Sequence, residues 1–237
     1  MAGDEPRVAV ITGGSHGIGA GLVRAYRERG WSVVANARTI GAAADPGVVT
    51  VEGDVSEPGT AEEIMRVTLE RFGQVDTLIN NAGVYLSKPF TDFTAADYAL
   101  ITGVNLAGFF WLTQRAITAM LPRGRGHVVN ISATIAERPE SGTPAALTAL
   151  TKAGLAAVAR SLAVEYGSRG IRVNAVAPGV IATPLNGAGS EPDPAGLPPL
   201  GRLGQVSDVV DAIMYLESAR YVTGEVLHVD GGQNAGH

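Results

Sequence analysis

Cysteine is absent from this sequence of 237 residues, which excludes disulfides and thiolate metal sites. Histidine is scarce, and the four histidines show no metal-ligand spacing, so we predict no metal site. No apolar run approaches the length of about 20 residues that a membrane-spanning helix needs, and the chain does not begin with an apolar segment behind a basic end. We therefore expect a cytoplasmic protein that is neither inserted in a membrane nor secreted.

Basic residues are outnumbered: 18 Lys and Arg stand against 23 Asp and Glu, which gives a net charge of -5. Because nucleic-acid binding depends largely on basic side chains that release counterions from phosphates, we expect no nucleic-acid partner. With 46% hydrophobic and 17% charged residues, the chain has enough apolar material for a large core. We predict one compact domain over residues 1–237.

Short apolar runs rich in β-branched residues alternate with longer amphipathic segments. This alternation predicts βαβ units and an α/β fold, a doubly wound three-layer sandwich of about seven parallel strands with helices on both faces. The predicted strands are Val8–Thr12, Ser32–Ala35, Val48–Val51, Thr77–Ile79, His127–Ile131, Arg172–Val176 and Glu225–Val229.

One segment, residues 184–200, departs in composition and is rich in Pro, Gly and Ala. A substrate lid and a loose surface loop are both compatible with that composition. We favour the lid because the segment follows a strand end, where ligands bind in open parallel sheets.

A glycine-rich segment, Thr12 to Gly19, begins where the first predicted strand meets a helix. Gly13, Gly17 and Gly19 permit a tight turn and the close approach of a pyrophosphate, whose charge is met by free N–H groups and the helix dipole. An ordinary glycine-rich turn is the alternative interpretation. The motif alone therefore indicates a dinucleotide site without establishing it.

Further motifs follow in order along the chain. Asp54-Val55 follows the third strand and Asn80-Asn-Ala-Gly83 ends the fourth, while Lys152-Ala-Gly-Leu155 and Asn174-Ala-Val-Ala-Pro-Gly179 come later. With the Gly-x-x-x-Gly-x-Gly spacing of the first turn, they resemble the short-chain dehydrogenase/reductase superfamily. The resemblance covers almost the whole chain.

This resemblance implies a Rossmann-like fold that binds a nicotinamide dinucleotide and acts on a small-molecule substrate. Asp54 and Val55 match the pair that contacts adenine, and the segment from Asn174 to Thr183 matches the one that holds the nicotinamide carboxamide. The residues predicted to bind cofactor are Gly13, Ser15, His16, Gly17, Ile18, Gly19, Arg38, Asp54, Val55, Asn81, Ala82, Gly83, Lys152, Pro178, Gly179, Ile181 and Thr183.

The choice of cofactor is indicated at the end of the second strand. Enzymes that use NAD usually place an acidic side chain there to bind the adenosine ribose, but this chain has Ala37, followed by Arg38. A guanidinium suits bidentate recognition of a phosphate, and His16 adds weak positive character. NADP(H) is therefore favoured over NAD(H), unless Arg38 is simply a solvated surface arginine.

Two of the residues that usually make the cofactor react are missing. The family's catalytic tyrosine, four residues before Lys152, is replaced by Thr148, and its serine is replaced by Ala133. Asn105 and Lys152 match the remaining asparagine and lysine. An aliphatic hydroxyl does not titrate like a phenol and is too short, so Thr148 is not a tyrosine substitute.

Other groups near these positions remain open as substitutes. Ser132 precedes the serine position by one residue and points to the opposite face of the strand unless a bulge intervenes, and Thr134 follows it. The loop beyond supplies Glu137, Arg138 and Glu140, each a new acid, a substrate clamp or a solvated charge, with solvated charge the default. The candidate catalytic positions are Asn105, Lys152, Thr148, Ser132 and Thr134.

Loss of a general acid costs about 10²- to 10⁴-fold in rate, so an unactivated ketone is a poor substrate. Three routes avoid the cost: a substrate with its own acidic hydroxyl, an iminium that needs no proton, or a water chain from Lys152. We expect an atypical NADPH-dependent reductase of a specialised-metabolite carbonyl, polyketide or quinone-like, or of an imine. The alternatives are a non-redox dehydratase or cyclase and a non-catalytic cofactor-binding protein.

Assembly is implied by the resemblance, because family members usually form tetramers or dimers. The apolar run Phe109-Phe-Trp-Leu112 is compatible with an interface and equally with a buried helix core. We expect a homotetramer or homodimer.

Overall fold

Seven parallel strands form one sheet in the computed structural model, which describes residues 6–183 and 197–236. The strands are Val8–Thr12 (β1), Ser32–Ala37 (β2), Val48–Glu52 (β3), Thr77–Asn80 (β4), Gly126–Ile131 (β5), Ile171–Pro178 (β6) and Val226–Val229 (β7). Their spatial order is β3-β2-β1-β4-β5-β6-β7. Each predicted strand lies within an observed one, except that β7 starts one residue later.

Helices cover both faces of the sheet. Side chains along each strand alternate between two buried clusters. Val10 packs with the helices that begin at Pro58, Gly108 and Ala146 on one face, and Ile11 packs with those that begin at Gly17 and Val206 on the other. The predicted three-layer sandwich is therefore confirmed. The helices are Gly17–Glu28 (α1), Pro58–Phe72 (α2), Ala95–Thr102 (α3), Gly108–Met120 (α4), Ala146–Tyr166 (α5) and Val206–Ser218 (α6).

A π-helical turn, Gly103–Ala107, joins α3 to α4 and places Asn105 at its centre. Such turns are rare and are often found at functional sites, because the wider turn changes the direction of the side chains it carries. Asn105 is buried there.

Two helical stretches, 95–123 and 146–169, are long and apolar enough by length and composition to cross a membrane. Both supply core residues to the sandwich, such as Leu112 and Ala159, which are at most 1% exposed. Core helices pass the same test, so these stretches are weak evidence for a membrane span. The expectation of no membrane stays a prediction.

The predicted lid, residues 184–200, lies mostly outside the described residues. Its described end is tied to the carboxyl-terminal segment, where the Leu200 N–H donates to the Gly231 carbonyl at 3.0 Å. The lid itself stays a prediction.

A buried polar network lies at the amino-terminal edge of the sheet. One oxygen of Glu217, at the end of α6, lies within hydrogen-bonding distance of Tyr26 Oη (3.0 Å), Thr77 Oγ1 (2.9 Å) and His127 Nδ1 (3.1 Å). Burial opposes ionisation of Glu217, but these hydrogen bonds outweigh it and hold the pKa of that carboxyl below its usual value. Glu217 is therefore a largely buried carboxylate, 13% exposed, with three donors.

The protonation state of His127 follows from its second nitrogen. Asn174 has a fixed amide orientation, because its Oδ1 accepts from the Glu225 N–H (3.0 Å) and its Nδ2 donates to the Val222 carbonyl (3.1 Å). That Nδ2 also lies 3.1 Å from His127 Nε2, which must therefore accept. His127 is thus neutral and donates from Nδ1 to Glu217, in agreement with burial lowering the pKa of His127.

Acid should weaken the fold through this network. Both pKa values lie below their unfolded values, so the unfolded chain binds protons first as the pH falls, at His127 below about pH 6.5 and at Glu217 below about pH 4.3. We predict that stability is full at neutral pH and is lost progressively as the pH falls through these two values. Glu217→Gln should reduce the free energy of unfolding by about 2–4 kcal/mol and flatten its pH dependence below about pH 4.3, where the carboxylate titrates.

Urea unfolding followed by circular dichroism at several pH values measures both effects. Asp211→Asn is the matched control, since it removes an exposed carboxylate from the same helix. Equal pH dependence in Glu217→Gln and the parent protein would contradict the assignment.

Candidate functional site

A cavity of about 1040 Å³ opens at the carboxyl-terminal edge of the sheet, and we call it the carboxyl-edge cavity. It lies where the strand order reverses between β1 and β4, the usual ligand position in doubly wound sheets. Of the residues predicted to bind cofactor, all but Gly19 line it: Gly13, Ser15, His16, Gly17, Ile18, Arg38, Asp54, Val55, Asn81, Ala82, Gly83, Lys152, Pro178, Gly179, Ile181 and Thr183.

The glycine-rich turn has the backbone that its sequence requires. Gly13 and Gly17 have φ values of 65° and 55°, a region that residues with a side chain rarely adopt. Gly19 lies beneath the turn, where a Cβ would be 2.0 Å from the Gly13 carbonyl oxygen. Gly19 therefore shapes the cradle instead of lining it.

Hydrogen bonds join the loops that follow β1 and β4. Thr12 Oγ1 accepts from the N–H groups of Asn81 (3.0 Å) and Ala82 (2.9 Å). In return, Asn81 Nδ2 donates to the carbonyls of Thr12 (2.8 Å) and Gly13 (3.2 Å). This reciprocal set fixes the relative position of the two loops that form the floor of the cavity.

Asn36 is a cavity residue that sequence reasoning missed. Its Nδ2 donates to the carbonyls of Val51 (3.0 Å) and Gly53 (3.1 Å), and these bonds fix the orientation of the amide. Its Oδ1 is buried and has no hydrogen-bond donor within the described residues. A buried acceptor without a donor is costly unless a ligand supplies one. The sequence pattern that could have identified Asn36 is a polar residue near the end of an otherwise apolar strand.

Two residues that follow Asn36 in the chain also line the cavity. Ala37 and Arg38 both line the cavity beside Asn36. Arg38 is exposed and has no ion-pair partner within residues 6–183 and 197–236, so its guanidinium is available to a ligand.

Lys152 lies in the opposite half of the cavity. Its Nζ donates to the Ile131 carbonyl at 2.7 Å, and a Cβ at Gly83 would lie only 2.9 Å from that nitrogen. Burial lowers the pKa of Lys152 to about 8. The side chain is therefore close to its midpoint of titration in mildly alkaline solution.

Asn105 and Thr148 each bind the main chain of the loop after β4. Asn105 Oδ1 accepts from the Val84 N–H (2.9 Å), and its Nδ2 donates to the Val84 carbonyl (3.1 Å). Thr148 Oγ1 accepts from the Leu86 N–H (3.0 Å) and donates to the Leu86 carbonyl (2.9 Å). Thr148 lines the cavity, but its hydroxyl is used within the protein.

The hydroxyls of Ser132 and Thr134, the two candidates near the serine position, also form hydrogen bonds within the protein. Ser132 Oγ donates to the Lys152 carbonyl at 2.8 Å. Thr134 Oγ1 lies 3.1 Å from the Ala177 carbonyl and 3.2 Å from Asp230 Oδ2, away from the cavity lining. Ala133 lines the cavity and presents only a methyl group.

Of the three charged residues in the loop after β5, one lines the cavity and two do not. Glu140 lines the cavity and is hydrogen-bonded by the amide of Gln233. Glu137 lies 3.4 Å from His228 Nε2 and, like Arg138, is outside the cavity lining.

The arrangement fits a dinucleotide. It combines a glycine cradle that a side chain would fill with a buried acceptor and a cavity-lining guanidinium, neither of which has a partner in the part of the chain that the structure describes. Within the described residues, no group of three His, Cys, Asp or Glu is placed to hold a metal ion.

Known proteins are similar to this chain in sequence and in fold. A family model described as Enoyl-(Acyl carrier protein) reductase matches residues 13–234. The 3-oxoacyl-(acyl-carrier-protein) reductase FabG of Escherichia coli (strain K12) is 34% identical, over 96% of this chain and 97% of the relative. The crystal structure of the 3-ketoacyl-(acyl-carrier-protein) reductase of Brucella melitensis complexed with NADH has a TM-score of 0.91 and 30% identity, covering 97% of this chain and 99% of its own. ElxO with NADP bound has a TM-score of 0.89 and 27% identity, covering 98% and 100%.

Gly19→Ala should weaken dinucleotide binding, because the Cβ of the new alanine cannot fit against the Gly13 carbonyl without displacing the cradle. We predict that the Kd for NADPH rises at least about 10-fold, or about 1.4 kcal/mol. Isothermal titration calorimetry measures it. Gly59→Ala is the control, since open space surrounds that helical glycine. Unchanged affinity in Gly19→Ala would sink the assignment of this turn as the cradle.

Proposed function

The chain belongs to the short-chain dehydrogenase/reductase superfamily, and we propose that it is an atypical NADPH-dependent reductase. Its substrate is a specialised-metabolite carbonyl, polyketide or quinone-like, or an imine. One observation supports this best: a complete dinucleotide cradle shares its cavity with a catalytic wall that has a methyl group at Ala133 and an already bonded hydroxyl at Thr148.

A bound NADPH would supply hydride to an electron-poor carbon, and the residues of this chain would bind it and position the substrate. Gly13 and Gly17 would let the backbone approach the pyrophosphate, and Asn36 Oδ1 would accept from the adenosine. Lys152 contributes positive charge in a buried setting, where it acts more strongly than in water.

Proton delivery distinguishes this site from the usual family arrangement. Neither Thr148 nor Ser132 offers a free hydroxyl to a substrate oxygen. The proton therefore comes from the substrate's own acidic hydroxyl or along a route that draws on water beside Lys152, whereas an iminium needs none. These requirements favour activated substrates over the 3-oxoacyl-(acyl-carrier-protein) named for the Escherichia coli relative.

Asn105 acts through the loop after β4. Both hydrogen-bonding groups of its side chain are engaged, with the Val84 main chain and with Thr151 Oγ1, which lies 3.0 Å from Nδ2. Asn105 is thus a positioning residue that holds one wall of the cavity.

We also propose that the protein works in the cytoplasm as a homotetramer or homodimer. Phe110 on α4 and Leu150 on α5 are 49% and 63% exposed, which supports an assembly surface on these helices. The other members of the predicted apolar run point inward to different degrees, and Leu112 is fully buried.

The proposed activity is tested by mixing protein and NADPH with phenanthrenequinone, diacetyl and an N-methyl dihydroisoquinolinium salt, and following the loss of NADPH absorbance. At least one activated substrate should be reduced. Lys152→Met should slow the carbonyl reactions by about 10²-fold or more, since it removes the buried charge and its water. Tight NADPH binding with no oxidation by any of the three would favour the non-redox dehydratase, cyclase or binding role instead.

Arg38→Ala should weaken NADPH binding selectively. Loss of a charge-assisted phosphate contact should raise the Kd for NADPH about 10- to 100-fold and leave that for NADH within about twofold. Calorimetry with both cofactors measures this. Arg24→Ala, which removes an exposed arginine of α1, is the matched control. A parallel loss for both cofactors would contradict the proposed role of Arg38.

A further inference from the structure

Tyr85 lies between two main-chain clamps. The side chain of Asn105 binds both the N–H and the carbonyl of Val84, and the hydroxyl of Thr148 binds both the N–H and the carbonyl of Leu86. The residue between these clamps is thus held by long-range contacts on both sides. Such support is what a functional side chain needs to keep a fixed position.

Tyr85 lines the carboxyl-edge cavity together with Thr148 and Lys152. The residue is 38% exposed, so it is accessible to a ligand. Among the described residues that line the cavity, it supplies the only phenol. Sequence patterns gave no reason to select it.

We propose that the Tyr85 phenol donates the proton to the substrate oxygen, in place of the phenol missing at position 148. This inference rests on the proposed reductase function and identifies the last donor of its proton route. Thr148 then acts as a positioning residue, because its hydroxyl holds the main chain next to the donor.

The step balances with reduced nicotinamide as the reductant. The carbonyl carbon gains a C–H bond from the hydride, and the electron pair of the C=O π bond moves to oxygen. That oxygen takes the proton of the Tyr85 O–H, and the resulting phenolate regains a proton from water beside the Lys152 ammonium. Gly83 permits this proximity of loop and ammonium, because a Cβ there would lie 2.9 Å from Lys152 Nζ.

Tyr85→Phe separates proton donation from mere packing when two substrates are compared. Reduction of diacetyl needs a proton, whereas reduction of an N-methyl dihydroisoquinolinium ion needs none. We predict that Tyr85→Phe lowers kcat for diacetyl by about 10²- to 10⁴-fold and changes kcat for the iminium by less than about threefold. The Kd for NADPH, measured by calorimetry, should stay within about twofold.

Tyr98→Phe is the matched control, since Tyr98 is exposed on α3 and outside the cavity lining. Equal losses for both substrates would make Tyr85 a packing residue and overturn the proposal, as would no loss for diacetyl. If the parent protein reduces diacetyl alone, the solvent deuterium isotope effect decides: an unchanged effect in Tyr85→Phe overturns the proposal. If it binds NADPH and reduces neither of these substrates nor phenanthrenequinone, the reductase function itself fails.

A second pair of variants tests the clamp. Thr148→Val removes both hydrogen bonds to Leu86 while nearly keeping the volume, and Thr148→Ser retains the hydroxyl. Thr148→Val should lower kcat for diacetyl by about 10-fold or more and spare the iminium, and Thr148→Ser should restore the parent rate. Equal rates in all three proteins would contradict the positioning role.

Discussion

The cavity depends on the reciprocal hydrogen bonds between the end of β1 and the start of the loop after β4. Thr12 Oγ1 accepts from two consecutive N–H groups, and Asn81 Nδ2 donates to the carbonyls of Thr12 and Gly13. These bonds join the two loops that diverge where the sheet changes direction. Without them, the glycine cradle on one side and the segment from Gly83 to Leu86 on the other would have no fixed separation, and no dinucleotide site would form between them.

The threonine at position 148 supports the loop after β4. Its hydroxyl reaches the main chain of Leu86 and binds both of its polar groups. At this position the helix α5 therefore supplies a support for that loop. Asn105 makes the equivalent contact with Val84 from a π-helical turn. The chemistry of this cavity is therefore expected to depend on the loop after β4 more than on α5.

Sequence patterns predicted the architecture well, because strand residues such as Val10 and Ile11 are apolar on both faces and only a sheet covered on both sides buries them. The glycines of the cradle could also be predicted from the sequence, because the backbone conformation of a tight turn depends on the residues of the turn itself. The unpaired acceptor of Asn36, the π-helical turn and the clamps around Tyr85 could not be predicted. The first and the last arise from contacts between residues far apart in sequence, such as Thr148 with Leu86, which no local spacing encodes.

Whether this chain transfers hydride is tested most directly with NADPH that carries deuterium at both hydrogen positions of the nicotinamide C4, and with diacetyl or the N-methyl dihydroisoquinolinium ion as the substrate. The label should appear in the product, bound to the former carbonyl or iminium carbon and on one face only, because the cradle holds the cofactor in a single orientation. A product that forms without the label, or label that is released to water, would contradict a reductase and assign the cradle to a non-redox role.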